Sequence, residues 1–259
     1  MKKYFVPLFL LLCLSTFSQS SNNIYPVQSP SEIVKDILSW VIYERDHLVW
    51  SADYLPLDSS MKIIPKADFL EQLASGRFLP LKMVNVGGVV YYQLHPIEEG
   101  TDKDIAPIIR NMAFKQLQYY KMEGIPLPDF NFTDLKGQVY NKETAQNKLI
   151  VLNCWFVHCQ PCVAEIPSLN QLVKKFERKK DVLFIALTLD KADKINSFLS
   201  TNSFKYSIIP DKDDYLTNTL KIIGYPTQLI VNREGLIVKV IESNKIKELT
   251  DVLNKELDK

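Results

Sequence analysis

Between residues 31 and 48, Ile33, Ile37, Trp40 and Val41 fall at helical spacing, which predicts a helix with Ser31 as its N-cap. Residues 66–75, "KADFLEQLAS", predict a short helix that Gly76 ends. "LPLKMVNVGGVVYYQL" then reads as two strands joined by a tight turn at Gly87-Gly88. A second long helix is expected over 101–122. Thr101 is its candidate cap, with Asp104 three residues on, and Ile105, Ile108, Ile109, Met112 and Leu117 form its apolar stripe.

The pattern changes after "EGIPLPDF", where Gly124, Pro126 and Pro128 break any helix. "DFNFTDLKGQVY" predicts a hairpin turning near Lys136-Gly137. "KLIVLNCWF" is a continuous apolar run, as a parallel strand buried on both faces requires. A helix to about Lys180, a buried strand "DVLFIALTLD", a helix "KADKINSFLSTN" and a strand "KYSIIPD" follow. "YLTNTLKII" predicts a short helix and "TQLIVNREGLIVKVI" a hairpin turning at Asn232–Gly235. "NKIKELTDVLNKEL" closes as an amphipathic helix. The chain thus divides into residues 24–123, a small α+β unit without a catalytic cluster, and residues 128–259.

The first residues add a destination. Lys2 and Lys3 precede the apolar run Tyr4 to Leu14, which is shorter than the roughly 20 residues needed to span a bilayer. A basic start, a short apolar core and the small residues Thr16 and Ser18 predict a secretory signal over residues 1–18. A lipidated Cys13 would be the chain's only membrane link, but Leu12 stands where a small residue is expected. Losing Lys2 and Lys3 takes the formal charge from +1 to −1. No basic excess argues for nucleic acid.

Export bears on the cysteines. Cys13 leaves with the signal, so Cys154, Cys159 and Cys162 remain in a compartment that permits disulfides. There is no second CxxC, and His47, His95 and His158 all precede Cys159, so no four-ligand zinc set forms; no metal or cofactor is expected.

The order strand, CxxC, helix places Cys159 at a helix N-terminus. Unpaired N–H groups and the helix dipole stabilise a thiolate there, which makes Cys159 the candidate nucleophile. Cys162, one turn in, can resolve a mixed disulfide. Pro161 occupies the first turn, where its missing N–H costs nothing. A structural disulfide is the competing reading of a bare CxxC. Glu165 shares a helix face with Cys162, where it is either a proton acceptor or an exposed helix residue. His158, when protonated, would stabilise the Cys159 thiolate; it reads equally as an exposed contact residue. Cys154, inside the apolar run, reads as a small core hydrophobe.

From about Pro128 to Lys259 the chain resembles the thioredoxin superfamily, in particular the TlpA/ResA-like thiol–disulfide oxidoreductases of bacterial envelopes. "LNCWFVHCQPCVAEIP" and "GYPTQLIVNREG" carry the resemblance. Trp155 precedes the first cysteine at the family spacing. Pro167 falls five residues after Cys162, where the family kinks its helix. Pro226 stands at the family's cis-proline. The helix and strand between Val182 and Ile209 match the subgroup's central insertion.

The resemblance implies an α/β thioredoxin-like fold with a central helix–strand insertion, preceded by the small α+β domain. It implies catalysis by Cys159 and Cys162 as a redox-active disulfide, with Glu165 taking the resolving proton. It places Tyr225, Pro226, Trp155 and His158 around the substrate. Its partners would be disulfide-containing protein substrates and an upstream thiol reductant, in the periplasm or cell envelope, with this chain as the reductant. Departures are Cys154, His158 and the Gln160-Pro161 pair. Asn153 stands where thioredoxin carries a buried acid. A peroxidase would carry Thr or Ser at Phe156, and a copper chaperone would need a His after the cysteines; a non-catalytic adaptor is the remaining alternative.

Overall fold

The computed structural model describes residues 24–84, 88–242 and 245–259. The expected signal and Gly87 of the expected turn lie outside the described residues. The first part of the chain runs β1 (Tyr25–Pro26), α1 (Pro30–Ile33), α2 (Ile37–His47), β2 (Leu55–Leu57), α3 (Lys66–Ala74), β3 (Phe78–Val84), β4 (Tyr91–Pro96) and α4 (Ile105–Met122). Its sheet has the order β1-β3-β4-β2, antiparallel except that β2 joins β4 in parallel.

The helix expected over 31–48 is broken. Ser29, not Ser31, caps α1, and Asp36 caps α2 by accepting the Ser39 N–H at 2.7 Å. Each cap satisfies a donor that a helix start leaves open. The break rotates the second piece, so Trp40 and Tyr43 turn inward while Ile37 and Val41 are exposed. Thr101 caps nothing either: α4 starts at Ile105, and its cap residue Asp104 makes no side-chain bond. Ile105, Ile109, Ala113 and Leu117 do enter the core with α3 and the sheet.

The second part runs β5 (Asn131–Thr133), β6 (Val139–Asn141), β7 (Leu149–Trp155), α5 (Gln160–Lys175), β8 (Val182–Thr188), α6 (Ala192–Leu199), β9 (Ser207–Ile209), β10 (Thr227–Val231), β11 (Ile237–Glu242) and α7 (Ile246–Leu257). Its sheet has the order β11-β10-β7-β8-β9, with β7, β8 and β9 parallel and β10 and β11 antiparallel. The expected helix near Tyr215 is a single wide turn, Tyr215–Thr219. Gly137 and Gly235 take positive φ (83° and 80°) in the two expected hairpin turns, which only glycine does at no steric cost.

β7 is buried at every position because both faces are covered. Leu149, Val151 and Trp155 pack with α5, α6 and α7. Ile150, Leu152 and Cys154 pack on the other side with Phe132, Leu216, Leu220 and Tyr119. Tyr119 belongs to α4, so one helix of the first part enters a core of the second.

The segment after α4 is not a free linker. The Gly124 N–H bonds the Ile237 carbonyl at 2.7 Å, Ile237 returns a bond to Ile125 at 2.9 Å, and Leu127 bonds Gly235 at 2.9 Å. Charged contacts join the same parts: Ser51 Oγ donates to Glu248 at 2.8 Å, and Lys239 meets Asp53 at 3.2 Å and Glu123 at 3.6 Å.

Candidate active site

β7 ends at Trp155 and the chain turns through Phe156–His158 into α5, whose N-cap is Cys159. Cys159 Sγ accepts the Cys162 N–H at 3.2 Å, so a sulfur takes the place that a Ser or Asp oxygen holds in an ordinary cap. The two cysteines form a disulfide with Cα atoms 5.2 Å apart. Both are nearly buried, at 5% and 2% exposure, while His158, Gln160 and Pro161 around them are exposed. Pro167 lies inside α5, as expected.

The turn before Cys159 has its own anchor. The Val157 N–H donates to Asp190 Oδ2 at 2.6 Å, and Lys194 meets Asp190 Oδ1 at 2.6 Å. Burial raises the Asp190 carboxyl, but Lys194 and the Val157 N–H outweigh it and hold the group below the usual carboxylate range. Asp190 therefore stays charged and grips the loop. Sequence reading missed it, because an acid after a buried strand looks like any strand-end turn residue.

Glu165 is 2% exposed, which removes the reading of an exposed helix residue. Its Oε2 accepts from Gln228 Nε2 at 3.2 Å. Gln228 lies opposite Asn153 across β10 and β7. Asn153, Glu165 and Gln228 are thus buried polar residues, and the buried Tyr206 shares the apolar cluster of Cys159 and Cys162. Burial, then the Glu165 charge, pushes the Tyr206 phenol well above its ordinary value. Gln228 and Tyr206 carried no motif that local pattern could show.

The Tyr225-Pro226 bond is cis, as the resemblance implied. Tyr225 packs edge-on against Phe156 with ring centroids 5.4 Å apart, which brings the loop before β10 to the loop before Cys159. Tyr225 is half-buried and Pro226 buried. Trp155, expected beside the substrate, needs correction. It is 1% exposed and packs against Phe198 and Phe204, because odd positions of β7 face α5 and α6. Its ring supports the site from within. Of the four expected contact residues, His158 and Tyr225 reach the surface. Cys154, Cα partner of Thr227, is free and buried, and burial alone pushes its thiol far above the ordinary range.

The comparisons bear on the same half of the chain. A model of the AhpC/TSA family matches residues 124–240. "Thiol-disulfide oxidoreductase ResA" of Bacillus thuringiensis subsp. konkukian (strain 97-27) is 32% identical over 130 residues, 49% of this chain and 75% of the relative. The same protein of Bacillus cereus (strain ATCC 10987 / NRS 248) gives the same figures. "Thioredoxin-like protein YneN" of Bacillus subtilis (strain 168) is 30% identical over 117 residues, 44% of this chain and 68% of the relative. A helix-capping CxxC disulfide on a thioredoxin-like sheet coincides with this kinship, and the chain belongs to the ResA-like thiol–disulfide oxidoreductases of the thioredoxin superfamily.

Proposed function

We propose that the chain reduces disulfides of protein clients in the cell envelope, with Cys159 as nucleophile, Cys162 as resolving thiol and Glu165 as proton acceptor. The observation that carries the assignment is Cys159 at the cap of α5, its sulfur bonded to the Cys162 N–H. A thiolate there is stabilised by the helix terminus, whereas Cys162 lies a turn deeper.

In the reduced protein the Cys159 thiolate attacks one client sulfur. The client S–S bond breaks, and the other client sulfur leaves as a thiolate that takes a proton. Cys162 then loses its proton to the Glu165 carboxylate and attacks Cys159 Sγ. The bond to the client breaks, the second client sulfur leaves, and two electrons have passed to the client. The Cys159–Cys162 disulfide that remains is the form seen here. An upstream thiol reductant, itself oxidised to a disulfide, returns the pair to its dithiol form.

The unit of residues 128–259 supplies this chemistry, and residues 24–123 bear on which client is accepted. Signal-directed export from residues 1–18 delivers the chain to the compartment where disulfides persist. His158 and Tyr225 are the surface residues that meet the client beside Cys159.

Cys162→Ser, mixed with a disulfide-bearing protein, is expected to trap a mixed disulfide through Cys159. An adduct mapping to Cys154 would overturn the assignment. Direction is read from the potential of the pair: a reductant should lie nearer about −270 mV than the roughly −120 mV of a strong oxidant, and the latter result would reverse the electron flow proposed.

A further inference from the structure

The loop that faces the cysteines is held from outside its own sheet. Tyr119 of α4 is 2% exposed, and its hydroxyl accepts the N–H groups of Ile223 and Gly224, each at 3.1 Å. The same oxygen lies 3.2 Å from Thr227 Oγ1. Thr227 Oγ1 donates its hydrogen to the Gly224 carbonyl at 2.7 Å. A hydroxyl has one hydrogen to give, so Tyr119 must be the donor to Thr227. The phenol oxygen thus uses its donor and both acceptor positions on one five-residue loop. Burial raises its pKa above the ordinary value, which keeps that donor protonated. One turn earlier on α4, Lys115 meets Glu242 at 2.5 Å, and both side chains lie over Gly224.

Between these pinned residues stand Tyr225 and Pro226, and Tyr225 packs on Phe156, three residues before Cys159. From this geometry we infer that Tyr119 is a positioning residue for client binding: α4, through its hydroxyl, fixes the backbone of Ile223–Thr227 that a protein client docks against beside Cys159. The inference rests on the reading that the chain exchanges disulfides with protein clients. It gives the first part of the chain a defined place in recognition. A client approaching as an extended segment needs the edge of this loop in one conformation. A loop free to sample others lowers the competent fraction and raises the apparent dissociation constant by the same factor.

The test is Tyr119→Phe in the full mature chain, with insulin as the protein disulfide and dithiothreitol as reductant. The ring is kept and only the hydroxyl is lost. The expected result is a rise of about fivefold to tenfold in KM for insulin with kcat within about twofold, and faster amide exchange at Ile223 and Gly224. Ile109→Val, in the core of the first part on the same helix, serves as the control for general loosening and should leave KM unchanged. An equal rise in KM for Ile109→Val would overturn the inference, as would an unchanged KM for Tyr119→Phe while the wild type turns over insulin. A wild type that reduces no insulin at all would instead sink the functional reading, and this inference with it.

Discussion

Cys159 and Tyr225 approach the same site from two loops that are held in different ways. The Cys159 loop is fastened within the second part: by β7 before it and α5 after it, and by Asp190 just past the end of the adjacent strand, 33 residues from Val157. The Tyr225 loop is fastened by Tyr119 and overlain by Lys115, about a hundred residues earlier and on the helix that closes the first part. The reacting sulfurs therefore depend on contacts within the second part, and the surface beside them depends on a contact from the first. That difference allows the reactivity of the thiols and the choice of client to be altered separately.

The largest effects should come from the reacting side. Cys159→Ser replaces the thiolate with a hydroxyl that does not ionise near neutrality, and exchange should fall by at least about 10³-fold. Cys154→Ala, on the opposite face of β7, should stay within a few-fold of wild type in the same turnover assay. Comparable losses in both variants would mean that the two faces of the strand do not divide the chemistry as described.

Glu165→Gln comes next. The amide keeps the size of the side chain but cannot accept a proton, so resolution by Cys162 should slow about 10²-fold near neutral pH. Raising the pH should recover part of the rate, because hydroxide then supplies the deprotonation. Stopped-flow measurement of client release from the mixed disulfide reads this step alone. A rate equal to wild type would reduce Glu165 to a buried partner of Gln228.

What the sequence showed and what it hid follow the same division. β7 was legible because its seven residues are apolar but for Asn153, the pattern of a strand covered on both faces. The CxxC and the hairpins at Gly137 and Gly235 were legible because each is a local signal, whereas the cis bond at Pro226 came from the family resemblance. The start of α2 was not. Helical spacing alone does not say which arc is buried, and Asp36 restarts the helix so that Tyr43, rather than Val41, enters the core. Trp155 was placed beside the substrate because of its spacing to Cys159, but strand alternation turns it inward. Tyr119, Asp190 and Gln228 were missed because their partners lie 33 to 108 residues away. Their neighbourhood in sequence holds no trace of those contacts.

Removing the first part tests the recognition side. A chain beginning at Gly124 keeps the three backbone bonds to Gly235 and Ile237, whereas one beginning at Pro128 loses them, at about 1 kcal/mol each. Both fragments lose Tyr119. The expectation is that the longer fragment reduces a small aromatic disulfide within a few-fold of the full mature chain, but loses about tenfold in kcat/KM on insulin. It should also melt several degrees lower, since the Tyr119 ring leaves the core beneath β7. Equal losses on the small and the protein disulfide would show that the first part completes the reacting site as well.

The smallest effect concerns the charged seam between the two parts. Lys66 donates to the Trp50 and Ala52 carbonyls at 3.0 and 3.1 Å and lies 4.4 Å over the Tyr54 ring. Burial, and then the like charge of Lys239, lowers its pKa to about 8, although Glu123, Asp53 and Glu248 pull the other way. Lys239 and Glu248 act on Lys66 from the second part, whereas Asp53 and Glu123 belong to the first, so the Lys239 and Glu248 share of this environment exists only when the parts are packed together. Between about pH 8 and the ordinary lysine value of 10.5, the folded chain binds fewer protons at Lys66 than the unfolded chain does. Stability therefore rises with pH across that window. The gain should be about 1–3 kcal/mol, from about 1.4 kcal/mol per pKa unit and a discount for partial exposure. Urea unfolding of the wild type and of Lys66→Met, at about pH 7.5, 9 and 10, should show the wild type gaining relative to the variant as pH rises. Parallel curves would mean that Lys66 keeps an ordinary pKa, and that the seam is open to water rather than closed as described.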